Sequence, residues 1–240
     1  DYLKKKLNGR VQLKTIPGIY ELIDGVATVQ QIRQFRVRDL LRRKPVELDK
    51  TPVDELIRDM SILVSGAGGS IGSEICRQVC MFSPKRLIAF DISEASLYLI
   101  TEQLRDRFDV TIIPIVGDVC NRRFVENIFK EFHPKIIFHA AAYKHVPLME
   151  FNPYSAVYNN VYGTRVLSDV SAKNEVERFV MISTDKAVRP TSMMGATKRL
   201  CEMVVQMQDH SESSIYCVVR FGNVMGSSGS VIPKFDKQIK

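Results

Sequence analysis

Apolar positions from residue 61 onward follow two alternating rhythms. Ile62-Leu63-Val64, Arg86 to Phe90, Val110 to Val116, Ile136-Ile137-Phe138, Arg178 to Ile182 and Ile215 to Phe221 are short apolar runs that read as six strands. Helical patterns lie between them. They run from a glycine-rich turn to about Met81, from Ser93 to Phe108 with Leu97, Ile100 and Leu104 on one face, from about Arg123 to Phe132, from about Pro153 to Lys173, and from Met194 to about Asp209. Strands and helices alternating at this pace predict an α/β domain: a doubly wound parallel sheet with helices on both faces.

Residues 1–60 break the rhythm. Val11 to Ile16 reads as a short strand, Pro17-Gly18 as a turn and Pro45 to Asp49 as an extended connector, while Gln31 to Leu41 mixes apolar and basic residues. The expected organisation is therefore 1–60 as the tail of a preceding domain with a linker arm, and 61–240 as the α/β domain. A chain of 240 residues, 45% hydrophobic, suits one main domain and an appendage. There is no internal repeat or low-complexity tract. No apolar run approaches the roughly 18 residues of a membrane span. Asp1 to Lys6 is not a signal peptide, since no apolar stretch follows its charges, and without a starting Met the chain reads as a fragment.

Charge and cysteines narrow the picture a little. The net charge is +7. The basic run Arg36, Arg38, Arg42, Arg43 and Lys44 reads as a solvated face, or as one turned toward a phosphate or an anionic membrane surface. It comes with no nucleic-acid-binding motif, so no nucleic-acid partner is expected. Cys76, Cys80, Cys120, Cys201 and Cys217 lack the spacing with histidines of a zinc site; no metal is expected, and the five read as reduced thiols of a cytoplasmic domain.

The sharpest local signal is Ser65-Gly66-Ala67-Gly68-Gly69-Ser70-Ile71-Gly72. Gly66, Gly69 and Gly72 follow an apolar strand and open a helix. That is the setting in which glycine lets backbone N–H groups approach a pyrophosphate, with the positive helix end facing the charge. The spacing and its context predict nucleotide binding on a Rossmann-like fold, with Gly66, Gly69, Ser70, Ile71 and Gly72 at the cofactor. Asp91, about 20 residues on and ending the second strand, is placed to accept both ribose hydroxyls and to repel a 2′-phosphate. This favours NAD and leaves NADP open; the plainer reading has Asp91 or Ser93 as an N-cap. Asp118, with Val119, follows the third strand and is placed near an adenine, or caps the next helix. Ala140-Ala141-Ala142 are small enough to let the chain pass beneath a cofactor, and His139 reads as a packed core histidine.

Ser183-Thr184-Asp185-Lys186 follows the fifth strand, at the carboxyl rim where ligands gather in parallel sheets. Met194 and Lys198 are four apart and share a helical face. Here the sequence resembles the extended short-chain dehydrogenase/reductases, whose pattern is Ser or Thr after the fifth strand, then Tyr-x-x-x-Lys. Thr184 and Lys198 match; Met194 stands in place of the tyrosine, and a thioether exchanges no proton. The Thr184-Asp185-Lys186 loop, together with His139 to Glu150, Asn159 to Thr164 and Arg220 to Ser230, is similar to the UDP-N-acetylglucosamine 4,6-dehydratases of capsule, lipopolysaccharide and protein-glycan synthesis, in the subgroup that carries Met at this place.

That resemblance implies a hydro-lyase that recycles a nicotinamide cofactor: C4 oxidation of UDP-N-acetylglucosamine, loss of water across C5 and C6, then reduction at C6. For that reaction Lys186 is the choice of base at C5, since a desolvated lysine has a lowered pKa, and Asp185 the acid at C6, which needs a raised pKa in the closed site. Lys198 lends electrostatic help, and a water near Met194 and Thr184 replaces the tyrosine. Asn160 is expected at the cofactor, and Lys144, His145 and Asn223 at the UDP-sugar. A homo-oligomer is expected, with most of the C-terminal substrate domain lying past Lys240 and transmembrane helices preceding Asp1 in a membrane-anchored parent. The expected location is the cytoplasm, or the cytoplasmic face of the inner membrane. Two other readings stay open: a 4-epimerase, and a non-catalytic NAD-binding module favoured by the missing tyrosine.

Overall fold

A computed structural model describes residues 14–15, 33–34, 49–208, 214–222 and 224. Two short strands belong to the first of two units: β1 (Lys14–Thr15) pairs antiparallel with β2 (Arg33–Gln34). β1 falls within the expected strand at Val11 to Ile16. The Pro17-Gly18 turn and the basic run from Arg36 to Lys44 lie outside the described residues.

The second unit is built on β3 (Ser61–Ser65), β4 (Arg86–Asp91), β5 (Ile112–Val116), β6 (Ile136–His139), β7 (Arg178–Thr184) and β8 (Ile215–Phe221). They pair in the order β5-β4-β3-β6-β7-β8, every pair parallel. The expected Rossmann-like, doubly wound sheet is thus observed. Its order reverses between β3 and β6, the switch point at which such sheets bind ligands. Central β3 is buried along its whole length, which is why it reads as an unbroken apolar run. Edge strand β5 carries Pro114, tolerated there because an edge leaves one row of N–H groups unpaired.

Alternation along each strand builds two cores. Leu63, Ile88 and Phe90 face a cluster with Val125, Phe129, Leu167 and Cys201. Ile62, Val64, Leu87 and Ala89 face the other side, with Cys76, Leu97 and Leu104. The first layer comes from α4 (Arg122–Phe132), α7 (Gly163–Lys173) and α8 (Met193–Gln206), the second from α2 (Ser70–Cys80) and α3 (Glu94–Arg105). Helix starts are set by side chains: the Ser93 hydroxyl accepts from Ser96 N, Asn121 Oδ1 from Phe124 N, and the Ser192 hydroxyl from Gly195 N.

Three features differ from the sequence reading. Helix α1 (Thr51–Ile57) lies in the stretch expected as linker, with its Ile57 in the second core. Helix α5 (Val146–Phe151) is too short for its period to show. The long helix expected from Pro153 to Lys173 is interrupted: α6 (Pro153–Ala156) leads into a π-helical segment, Val157–Tyr162, before α7. Such wide turns free backbone carbonyls for other partners and often accompany functional sites.

Candidate active site

The glycine loop is shaped by contacts that exclude side chains. Gly66 adopts φ +72°, and a Cβ there would sit 2.6 Å from Ala141 N. A Cβ on Gly72 would overlap the carbonyl of Gly66. The loop is pinned by Gly66 N donating to Phe90 O (2.8 Å) and Gly69 N to Gly66 O (3.0 Å). Gly69 occupies the N-cap of α2 without a side-chain cap, so the helix presents its positive end to the cleft rather than to a hydroxyl.

A cleft of about 260 Å³ opens above this loop, at the β3/β6 switch point. Gly66, Gly69, Asp91, Ser93, Asp118, Val119 and Ala140 to Ala142 line it, as does Tyr143. Asp91 is not a helix cap; Ser93 is. Asp91 Oδ2 accepts from Gly68 N and Oδ1 from Ser93 N, each at 2.8 Å. The carboxylate is thereby fixed at the mouth, with acceptor capacity left over. Asp118 Oδ1 accepts from Cys120 N (2.8 Å), and the cap of α4 is Asn121. Ser70 and Ile71 form the first turn of α2 below the lining, and Gly72 packs on Gly66. Sequence reasoning passed over Gly68, Ser96, Gly117 and Asn159, which also line the cleft. Gly68 inside the motif and Gly117 directly after β5 carried a signal; Ser96 within α3 and Asn159 within the helical stretch did not.

Asn160, expected on the cofactor, is buried and engaged on all sides. Its Nδ2 donates to Tyr143 O and Thr197 Oγ1, and its Oδ1 accepts from Tyr143 N. The neighbouring Asn159 reaches the cleft in its stead.

After β7 the chain forms a single 3-10 turn, Asp185–Ala187, capped by Thr184. Thr184 Oγ1 donates to Asp185 Oδ1 (3.0 Å), and Lys186 Nζ donates to the same oxygen (3.1 Å). Both charged side chains are about half exposed. These bonds from Lys186 and Thr184 hold the Asp185 carboxyl below its ordinary pKa. In this structure Asp185 is thus a stabilised carboxylate and Lys186 is solvated; the raised pKa and the desolvation expected of the pair belong to a closed site with substrate bound.

The buried lysine is Lys198, 6% exposed, with no hydrogen-bond partner among the described residues. Burial lowers its pKa, against smaller opposing effects of Cys201 and Glu202. Met194, 5% exposed, packs with Met149 and Ala156 in a small core, so it is a packed side chain. The two halves of the constellation meet at Gly195, where a Cβ would come 2.5 Å from the Lys186 carbonyl. Behind them Glu202, itself buried, accepts from Ser183 Oγ (2.6 Å), Arg199 and Arg220, tying β7 and β8 to α8. Lys144 and His145 are exposed on the loop into α5, beyond the cleft lining, and Asn223 lies outside the described residues. No metal-binding cluster is present among the described residues, and no helix among them is long and apolar enough to cross a membrane.

Fold and cleft together define a Rossmann-like protein of the extended short-chain dehydrogenase/reductase kind. Residues 62–240 match the model of the family described as polysaccharide biosynthesis protein, and the chain belongs to that family. It is 46% identical to the capsular polysaccharide biosynthesis protein CapD of Staphylococcus aureus, over 96% of this chain and 39% of CapD. It is 34% identical to a UDP-glucose 4-epimerase of Rickettsia rickettsii, over 76% of this chain and 54% of the epimerase. Among solved structures it resembles Pen from Bacillus thuringiensis, with a TM-score of 0.71 and 35% identity, covering 76% of this chain and 56% of Pen. The chain thus spans about two-fifths of CapD and just over half of the other two.

Proposed function

We propose that this chain forms the cofactor-binding core of a nicotinamide-dependent nucleotide-sugar 4,6-dehydratase acting on UDP-N-acetylglucosamine in surface-glycan synthesis. The observation that carries the reading is the seating of the Asp185–Lys186 turn on the α8 turn between Met194 and Lys198, at the same sheet edge as the glycine cleft. An NAD-sized ligand fits the residues present: the loop tolerates no Cβ at Gly66 or Gly72, the α2 N-terminus faces the cleft, and Asp91 stands fixed at its mouth. NAD is favoured over NADP because a 2′-phosphate would meet that carboxylate.

When bound, the nicotinamide supplies a hydride acceptor for C4 and the donor that restores hydrogen at C6. The chain's own residues handle protons and charge. The buried Lys198 ammonium favours an alkoxide nearby and so acidifies the C4 hydroxyl. A water takes that proton, since Met194 has none to exchange. Lys186 removes the C5 proton, acidified by the adjacent ketone, and returns it to C5 when C6 is reduced, while Asp185 delivers a proton to the departing C6 hydroxyl, which leaves as water. Both steps require the substrate to cover the Asp185–Lys186 pair and break its contact, because here the carboxylate is held ionised. Lys144, His145 and Asn223 are assigned to the sugar nucleotide.

Residues 1–60 are assigned to the tail of a preceding domain with a linker arm, of which Ile57 already packs in the second core, and 61–240 to the cofactor-binding domain with the start of the substrate region. The working form is a homo-oligomer on the cytoplasmic side of the membrane. Incubating the full-length protein with UDP-N-acetylglucosamine and NAD, and following the products by NMR, tests the reading. A 6-deoxy-4-keto sugar is expected. Inversion at C4 without loss of water would mean a 4-epimerase instead, the reading that the Rickettsia relative favours.

A further inference from the structure

The cleft floor, Ala140 to Ala142, is held at both ends by one continuous set of buried bonds. At its far end, the backbone N–H and C=O of Tyr143 are both bound by the Asn160 side chain, at 2.8 and 3.1 Å. At its near end stands His139, 1% exposed, with Nδ1 2.7 Å from Ser65 Oγ and Nε2 2.9 Å from Thr164 Oγ1. Ser65 immediately precedes the glycine loop and lines the cleft.

Proton inventory fixes the direction of the chain. Thr164 Oγ1 donates its one proton to Asn160 O at 2.6 Å. It can then only accept from His139, so Nε2 carries the ring hydrogen. Burial, reinforced by the Lys198 charge, keeps the ring neutral, so Nδ1 has no hydrogen and accepts from Ser65. The direction is Ser65 O–H to Nδ1, Nε2–H to Thr164, and Thr164 O–H to Asn160 O. The π-helical turn leaves that carbonyl free to take Thr164 and also Cys201 Sγ from α8 at 3.1 Å.

From this geometry we infer that His139 is a positioning residue, a neutral ring of fixed tautomer that sets the cleft floor against the glycine loop and the Lys198 helix. It touches neither cofactor nor substrate. Its effect on cofactor affinity rests on the nicotinamide-binding reading above; its ring state does not.

The test uses the full-length protein. NAD dissociation constants are measured by calorimetry for wild type, Ser65→Ala, Thr164→Val and the double variant, beside their unfolding midpoints. Each single substitution removes one hydroxyl partner and strands one buried ring nitrogen, and is expected to weaken NAD binding by about fivefold or more. The double variant should lose less than the product of the two, since both cut one chain. Affinities within about twofold of wild type in both single variants, whatever the midpoints do, overturn the inference. Should those variants fail to fold, histidine-labelled wild type still decides by nitrogen NMR: a ring protonated only at Nε2 supports the inference, and a charged or Nδ1-protonated ring overturns it. A wild type that binds no NAD defeats the cofactor reading and the positioning role alike. Normal wild-type binding with unaffected variants defeats only the role of His139.

Discussion

The carbonyl oxygen of Lys186 lies 2.5 Å from the point where Gly195 would carry a Cβ, so the turn bearing Asp185 and Lys186 is seated on α8 by the absence of one carbon. Gly195→Ala must push that turn away or distort the start of the helix, at a stability cost of about 1–3 kcal/mol. The cleft is lined by other elements, and Gly195 is not among its residues. Keto-sugar formation is therefore expected to fall by about tenfold or more, while the NAD dissociation constant moves by less than about threefold. Steady-state product assays and calorimetry on the same preparation check this. Parallel losses in both would show that the turn has no independent position to lose.

Asp91 spends one lone pair on Gly68 N and another on Ser93 N. Asp91→Asn puts an NH2 where one of those acceptors stood and removes the charge that repels a 2′-phosphate. NADH binding should weaken by about tenfold, with NADPH affected less, so that discrimination narrows. The ratio of the two dissociation constants is the measurement. An unchanged ratio would leave Asp91 as a loop brace alone.

These two sites show what the chain discloses before it folds and what it withholds. Central β3 and β4 were legible because burial on both faces makes them unbroken apolar runs, and the glycine loop because a motif between strand and helix is a local fact. Helix α5 was not, since six residues with Pro147 near the start show no period. The π-helical turn escaped for a different reason: Asn159 and Asn160 look helical by their neighbours, and only tertiary partners on Tyr143 and Thr197 explain the break. Within the site, residue types gave the chemistry but not the solvation. Lys186 and Lys198 are both lysines near the carboxyl rim of the sheet, and only packing buries Lys198 while leaving Lys186 in water.

Glu202 joins two strands to α8 through Ser183, Arg199 and Arg220. The Arg220 bond, with help from Ser183 and Arg199, lowers its pKa from 4.5 to about 2. A depressed carboxyl stabilises the fold fully above its unfolded value and loses that contribution as pH falls toward its folded one. Glu202→Gln should cost about 3 kcal/mol near neutral pH, because Ser183 and two guanidinium groups lose a buried anion. The gap between wild type and variant should close as pH drops from about 4.5 toward 2. Urea unfolding at stepped pH measures it, and a gap independent of pH would mean the carboxylate is not the stabilising species.

His139 supplies a slope of the same sign from the opposite chemistry. Burial, then the nearby Lys198 charge, drops its pKa from 6.5 to about 3. Between those values the unfolded chain binds a proton that the native ring refuses, so acid favours unfolding by about 1.4 kcal/mol per pH unit. In His139→Gln the group cannot titrate, and the other histidines cancel in the comparison. The variant is less stable near neutrality, where it lacks the imidazole's packing and one of its two bonds. Its deficit should shrink by about that slope as pH is lowered from roughly 6.5 toward 5, because only wild type is losing stability at this site. Unfolding free energies of both proteins across that range are the measurement. Curves that stay parallel would mean the native ring takes up its proton freely, and the neutral bridge between Ser65 and Thr164 would then be wrong.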